Sequence, residues 1–228
     1  MSVDPVSAPI GLLLSGGLDS GILLGHLLRQ GRRVQPLYVR SQLVWEDAEL
    51  AAVETLLQAL ACGELQELAI LQLPLADLYQ QHWSVTGREV PDTLSPDDAV
   101  YLPGRNALLA VKPVVWCRLH GIDELALAVL GSNPFSDATP EFFDDFQSAM
   151  HRATGGPVRI VRPFAELDKR QVMDLGRELP LDLTFSCIAP VGRRHCGRCN
   201  KCAERRTAFE SIGAEDPTRY AVNPATVT

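Results

Sequence analysis

The sequence has no apolar run that approaches the roughly 20 residues of a membrane-spanning helix. It also lacks a basic N-terminus followed by a hydrophobic segment, which is the pattern of a secretory signal peptide. We therefore expect a cytoplasmic protein without a membrane partner. In that compartment the six cysteines are not expected to form structural disulfides.

The chain has no excess of positive charge, since 21 lysine and arginine residues face 28 aspartate and glutamate residues. The net charge of −7 argues against strong, unspecific binding to nucleic acid, because such binding depends on cations that neutralise phosphates. Internal repeats and low-complexity tracts are absent as well. With 228 residues, of which 46% are hydrophobic, the chain suits one globular domain with at most a small appendage.

Apolar runs typical of buried strands alternate with stretches of helical periodicity. This alternation predicts an α/β fold, a Rossmann-like parallel sheet with flanking helices. The predicted strands are 10–14, 34–39, 68–73, 125–129 and 158–161, and the predicted helices are 20–30, 46–60, 105–120, 141–152, 169–178 and 201–212. The connections 74–103 and 131–140 and the segment from Leu183 onward do not fit the alternation, and we expect a loosely ordered tail after Ala214.

A glycine-rich turn, Ser-Gly-Gly-Leu-Asp-Ser at residues 15–20, separates the first strand from the first helix. Paired glycines allow a tight turn and a close approach of the backbone to a ligand, and Asp19 or Ser20 is placed to cap the helix. Such a turn favours phosphate binding, because free amide groups and the positive helix end point at the anion. A turn that needs glycines only for its shape is the alternative. The pattern is neither a Walker loop nor the dinucleotide fingerprint.

Four cysteines near the C-terminus form the pattern Cys-x8-Cys-x2-Cys-x2-Cys. Four thiolates close the tetrahedral coordination sphere of zinc, so the spacing predicts a structural zinc site, with an iron–sulfur cluster or a redox pair as alternatives. The proposed ligands are Cys187, Cys196, Cys199 and Cys202. We interpret His195 as a surface neighbour of this site, and Cys62 and Cys117 as small core residues.

The glycine-rich turn resembles the PP-loop of the ATP pyrophosphatases, which have the adenine nucleotide alpha hydrolase fold. This resemblance implies cleavage of ATP between the α and β phosphates, adenylation of a carboxylate, carbonyl or urea-like oxygen, and displacement of AMP by a nucleophile. It also implies that Asp19 reaches a magnesium ion. The implied nucleotide-binding residues are Ser15, Gly16, Gly17, Leu18, Asp19 and Ser20.

Together, the loop and the cysteine pattern resemble the 7-cyano-7-deazaguanine synthase family. Pro-Gly-Arg-Asn at 103–106 and the segment 167–176 match further family motifs, which implies that Arg105 and Lys169 act on the nucleotide phosphates along with Asp19. A surface charge at Arg105 and an ordinary first-turn residue at Lys169 are the alternatives. The resemblance implies ATP-dependent conversion of 7-carboxy-7-deazaguanine and ammonia into the nitrile, in queuosine biosynthesis. It divides the chain into a nucleotide-binding part, 1–182, and a zinc-binding segment, 183–228.

Two segments depart from the family pattern, and both departures concern the acceptor. In the family, an aromatic Ser-Gly-Tyr-Pro-Asp-Cys-Arg stretch recognises the deazaguanine base, and a Tyr-Gly-Gln-x-His stretch follows the second strand. In this chain the corresponding residues, 131–140 and 38–42, have different sequences. We predict that Phe135 stacks on a flat heterocycle and that Asp137 accepts guanine-type N–H donors. The alternatives are that Phe135 packs on the core and that Asp137 caps the next helix. A divergent relative with another acceptor, including a protein, stays open.

Two other functions are consistent with the motifs. A tRNA sulfur-transfer enzyme with a PP-loop is disfavoured by the acidic chain and the closed cysteine pattern, and a non-catalytic nucleotide-binding module is disfavoured by the intact loop. We expect ATP and Mg²⁺ at the loop, structural Zn²⁺ at the cysteines, and a small-molecule carboxylate and ammonia as substrates. Because family members are often dimers, a homodimer is a further expectation.

Overall fold

Five parallel strands form the sheet of the computed structural model, which describes residues 8–222. The spatial order of the strands is β3-β2-β1-β4-β5, so β1 lies at the centre between β2 and β4. This arrangement confirms the predicted α/β fold and all five predicted strands, with ends that differ by a few residues. The strands are β1 (Ile10–Leu13), β2 (Val34–Arg40), β3 (Ala69–Gln72), β4 (Glu124–Ala126) and β5 (Arg159–Val161).

The six predicted helices are all present. The helices are α1 (Leu18–Arg29), α2 (Glu46–Ala59), α3 (Ala76–Tyr79), α4 (Trp83–Thr86), α5 (Arg105–Leu119), α6 (Pro140–Thr154), α7 (Lys169–Leu175) and α8 (Asn200–Ser211). Among them, α3 and α4 are single turns inside the 74–103 connection, which also contains a 3-10 helix, Asp97–Val100. Two more 3-10 turns are Ser136–Ala138 and Leu181–Leu183. Within residues 8–222, the helices lack the combination of length and apolarity that a bilayer crossing requires.

Helices cover both faces of the sheet, which explains why the central strand has no polar face. Leu12 of β1 is fully buried in the cluster that contains Ile22 of α1. On the opposite face, a Cβ added to Gly11 would meet the Sγ of Cys117 at 2.6 Å, so α5 packs directly on β1. The core position of Cys117 is therefore confirmed. The predicted core position of Cys62 is wrong, because Cys62 follows the end of α2 and is exposed.

The C-terminal part of the chain is held by more hydrogen bonds than its sequence indicates. The backbone N–H of Ala221 donates to the carbonyl of His195, and the N–H of Val222 donates to that of Cys196. The fully buried Arg205 donates to the Leu181 carbonyl and to the hydroxyls of Thr184 and Thr218. The expected loose tail after Ala214 is therefore wrong as far as residue 222, and the rest of it lies outside the described residues.

Candidate active site

A cavity of about 310 Å³ opens at the carboxyl ends of β1 and β4. The strand order reverses between these two strands, which is where ligands bind in open α/β sheets. The cavity brings together three regions that are far apart in sequence: the glycine-rich turn at 15–20, Arg105 at the start of α5 and Lys169 at the start of α7. Lys169 is a first-turn residue of α7, as the alternative for it stated, but both Lys169 and Arg105 also line the cavity.

The turn at 15–20 is held from two sides. Gly16 has φ +75°, and a Cβ there would meet the Val53 side chain of α2 at 2.8 Å, so this position requires glycine. Its carbonyl accepts the N–H of Phe185 at 2.7 Å. The expected cap at Asp19 or Ser20 is wrong, because α1 begins at Leu18 and Gly17 is its N-cap. Asp19 lies in the first turn instead, where a carboxylate interacts favourably with the helix dipole.

Asp19 and Lys169 form an ion pair in the cavity. The Lys169 Nζ donates to both carboxylate oxygens of Asp19 at 2.8 Å and lies 3.5 Å from an oxygen of Glu204. The second Glu204 oxygen accepts from the Nζ of Lys201, so four charged side chains form one continuous chain. Burial lowers the pKa of Lys169, but Asp19 and Glu204 outweigh this effect and raise the pKa above its ordinary value. Lys169 is therefore charged at neutral pH.

A second group in the cavity surrounds Arg105. Its guanidinium lies 5.7 Å from the ring centroid of Trp45, and its buried Nε has no hydrogen-bond partner within residues 8–222. Glu49 lines the same cavity and accepts the hydroxyl of Tyr38 at 2.7 Å. Burial raises the pKa of Glu49 to about 7, although Arg105 and the Tyr38 hydrogen bond lower it. The cavity thus holds a carboxylate that titrates near neutral pH.

Sequence reasoning did not identify several residues of this cavity, namely Trp45, Glu49, Lys201 and Glu204. The sequence offered a signal for Trp45 and Glu49. They lie just after β2, and residues four positions apart share one face of a helix. For Lys201 the signal was its place between Cys199 and Cys202, which fix the first turn of α8.

Asp137 contacts the first turn of α5, and Phe135 contacts the segment that precedes this helix. The Asp137 carboxylate accepts the backbone N–H of Asn106 at 2.9 Å and its side-chain amide at 3.2 Å, so it satisfies donors in the first turn of α5. The alternative that Asp137 caps the following helix is wrong, because Thr139 caps α6. Phe135 is half-buried and stacks on Tyr101, with 4.9 Å between the ring centroids.

The four predicted metal ligands converge. Their sulfur atoms all lie within 4.8 Å of one another, and the Cys187–Cys199 and Cys196–Cys202 pairs are separated by 3.8 and 3.9 Å. Four sulfurs at about 2.3 Å from a tetrahedral ion would be about 3.8 Å apart, so the group fits a metal ion. The backbone N–H groups of Cys196 and Ala189 donate to the Cys187 sulfur, which stabilises a thiolate.

His195 is buried, so the expectation of a surface neighbour is wrong. Its Nε2 accepts the backbone N–H of Ser186 at 3.1 Å, and its ring packs on Phe185. Burial and the nearby Arg205 cation lower the pKa of His195 to about 3, so the ring is neutral at physiological pH. His195 supports the segment that contacts the glycine-rich turn.

Comparison with known proteins shows the family of the chain. The family described as "Queuosine biosynthesis protein QueC" matches residues 10–213. The chain is 31% identical to a 7-cyano-7-deazaguanine synthase of Desulfotalea psychrophila, over 92% of this chain and 98% of that protein. It is 30% identical to one of Thiobacillus denitrificans, over 92% and 97%.

Among solved structures, the fold is similar to that of a predicted subunit of a tRNA methyltransferase from Methanocaldococcus jannaschii. The TM-score is 0.50, the sequence identity is 10%, and 75% of each chain is covered. This likeness concerns the fold alone. The match over residues 10–213 and the relatives at about 30% identity show the family: the chain belongs to the queuosine biosynthesis protein QueC family.

Proposed function

We propose that this protein is an ATP-dependent ligase that activates a carboxylate by adenylation and releases pyrophosphate and AMP. One observation carries the proposal: a single cavity contains the glycine-rich turn, Arg105 and Lys169. The turn and the N-terminus of α1 offer amide donors to a pyrophosphate group, and the two cations neutralise its charge. Positioning and charge neutralisation are what phosphoryl and nucleotidyl transfer require of a protein.

We propose 7-carboxy-7-deazaguanine and ammonia as the substrates, and 7-cyano-7-deazaguanine as the product. The family and the names of the curated relatives support this choice. A carboxylate oxygen attacks the α-phosphorus of ATP and pyrophosphate leaves, after which ammonia displaces AMP to form an amide. The amide oxygen then attacks the α-phosphorus of a second ATP and pyrophosphate leaves. AMP departs with that oxygen, and the nitrogen loses its two protons to yield the nitrile.

The metal ions are part of the proposal. Zn²⁺ would be held by Cys187, Cys196, Cys199 and Cys202, where four sulfur ligands leave no open position, so its role would be structural. Mg²⁺ would be held at Asp19 and would neutralise phosphate charge. The Asp19 carboxylate faces the cavity and is paired with Lys169, a partner that a cation can replace.

The binding of the acceptor by Phe135 and Asp137 stays a prediction. The cavity itself contains another aromatic and another acidic side chain, Trp45 and Glu49, which are suited to a flat heterocycle with N–H donors. The cytoplasmic location, the homodimer and the boundary at residue 182 also stay predictions.

The test is a product assay with purified protein, ATP, Mg²⁺, 7-carboxy-7-deazaguanine and an ammonium salt. We expect AMP and pyrophosphate that depend on the carboxylate, and a product with the mass of the nitrile. Release of ADP and phosphate would contradict the mechanism. Carboxylate-dependent AMP formation that is seen only with another acid would support adenylation and reject the deazaguanine substrate.

A further inference from the structure

Lysine is rare in this chain, and its distribution is uneven. Of the 21 lysine and arginine residues, only Lys112, Lys169 and Lys201 are lysines, so arginine is the usual surface cation. Two of the three lysines line the same cavity. The third, Lys112, is exposed on α5 and donates to the carbonyl of Gln72. Lys201 therefore differs from the ordinary surface cations of this protein in both residue type and place.

Lys201 and Lys169 share one carboxylate. The two oxygens of Glu204 contact the two Nζ atoms separately, and Asp19 is the second partner of Lys169. Two cations and two carboxylates give this group a net charge of zero. The Glu204 side chain is 40% exposed, so it can turn into solvent at little cost.

We propose that Lys201 is a second phosphate-binding lysine, which contacts the pyrophosphate portion of ATP together with Lys169. This inference rests on the proposed function and adds a residue to it. Glu204 contacts both ammonium groups, and phosphate oxygens replace it when the nucleotide binds. A lysine suits this exchange, because its flexible stem and three donors can move without a change in the backbone.

The position of Lys201 on α8 supports this role. It is the second residue of a twelve-residue helix, so the positive end of the helix dipole adds to its charge. Cys199 is the N-cap of α8 and Cys202 lies in its first turn, and both belong to the cysteine cluster. The cluster thereby fixes the turn that presents Lys201 to the cavity.

The competing explanation is a surface ion pair three positions apart on one helix, which contributes little to anything. The two explanations differ in what the removal of each partner does. If the pair is only structural, then Lys201→Gln and Glu204→Gln have similar, small effects. If Lys201 binds phosphate, the first change weakens phosphate binding. The second change removes the carboxylate partner of Lys201, leaves Lys169 paired with Asp19, and does not weaken phosphate binding.

The experiment measures the binding of inorganic pyrophosphate, with magnesium chloride present, to the full-length protein by calorimetry. We expect Kd to rise at least about fivefold for Lys201→Gln, in line with the loss of one charge-assisted hydrogen bond. For Glu204→Gln, Kd should stay equal or fall. Lys112→Gln is the matched control and should bind like the wild type.

Lys201→Arg keeps the charge and separates phosphate binding from a structural role next to Cys202. We expect it to bind within about threefold of the wild type, and all variants to unfold at wild-type temperature and retain their metal. A Lys201→Gln protein that binds pyrophosphate like the Lys112→Gln control overturns the inference, as do equal losses in Lys201→Gln and Glu204→Gln. If the wild type itself binds no pyrophosphate and releases none from ATP, the proposed function fails as well.

Discussion

The ammonium nitrogen of Lys169 lies 2.8 Å from each carboxylate oxygen of Asp19, although 150 residues separate the two side chains in sequence. Each residue is in the first turn of a helix that begins at the cavity. The pair places a cation and an anion where the phosphates of ATP are proposed to bind. A carboxylate that releases its lysine in exchange for a metal cation leaves the lysine free for phosphate.

The first prediction concerns this pair. Asp19→Asn and Lys169→Gln should each lower the rate of AMP formation by about 10²-fold or more, because each removes a charge that stabilises the transition state. AMP and pyrophosphate are measured after incubation with ATP and the carboxylate. Asp168→Asn alters the adjacent N-cap of α7, which is exposed to solvent, and serves as the control. Near-normal AMP formation by either variant would exclude that residue from the reaction.

The second prediction concerns the cysteine cluster. Protein purified without added metal should contain one zinc ion per chain, and Cys199→Ser should lose both the metal and solubility, since four buried sulfur ligands act together. Elemental analysis and the yield of soluble protein provide the measurement. The exposed Cys62 offers a control, because Cys62→Ser should retain the full metal content. Stoichiometric iron with visible absorbance would show a cluster in place of zinc.

The third prediction concerns Glu49 and pH. Its pKa of about 7 exceeds the ordinary value of 4.5, so the folded protein binds this proton more tightly than the unfolded chain does. Its contribution to stability is therefore lost as pH rises from about 4.5 to 7. Between pH 5 and pH 8, the free energy of unfolding of Glu49→Gln should therefore rise by about 1–3 kcal/mol relative to that of the wild type.

Urea denaturation at both pH values measures this difference. Titratable neighbours that face Glu49 are Tyr38 and Glu46, and Arg105 is the nearby cation. Glu54→Gln on the exposed face of the same helix removes an equal charge and should show no such pH dependence. A constant difference between Glu49→Gln and the wild type at pH 5 and pH 8 would show that the carboxyl group does not titrate in this range.

The fourth prediction concerns the 131–140 segment. Phe135→Ala and Asp137→Asn should raise KM for the deazaguanine carboxylate, by at least about fivefold for Asp137, as expected when a polar edge loses its partner. Because Asp137 also holds the first turn of α5, Asp137→Ala should lower the free energy of unfolding by about 1–3 kcal/mol. Steady-state kinetics and denaturation are measured in parallel. Unchanged KM values with lowered stability would show that the segment only supports α5.

Local patterns were sufficient to predict the helices and strands and the grouping of the four cysteines. The unbroken apolar run of β1, the glycine pair after it and the helical periodicity of α1 are contiguous in sequence, so their physics is local. The cysteine spacing likewise predicted a metal site whose four sulfurs do converge. Errors arose where the tertiary environment overrides a local preference, as at the Gly17 cap and at the buried His195.

The sequence by itself determined the glycine-rich turn, the strand and helix alternation and the grouping of the four cysteines, because each depends on spacing along the chain. Only the tertiary structure decided which distant side chains share the cavity. Glu49 and Trp45 follow β2, while Lys201 and Glu204 lie on α8, and they meet Asp19 and Arg105 only through the strand order and the packing of α8. Which side chains meet over such separations depends on how all elements pack together. No periodicity or spacing within one segment encodes these contacts.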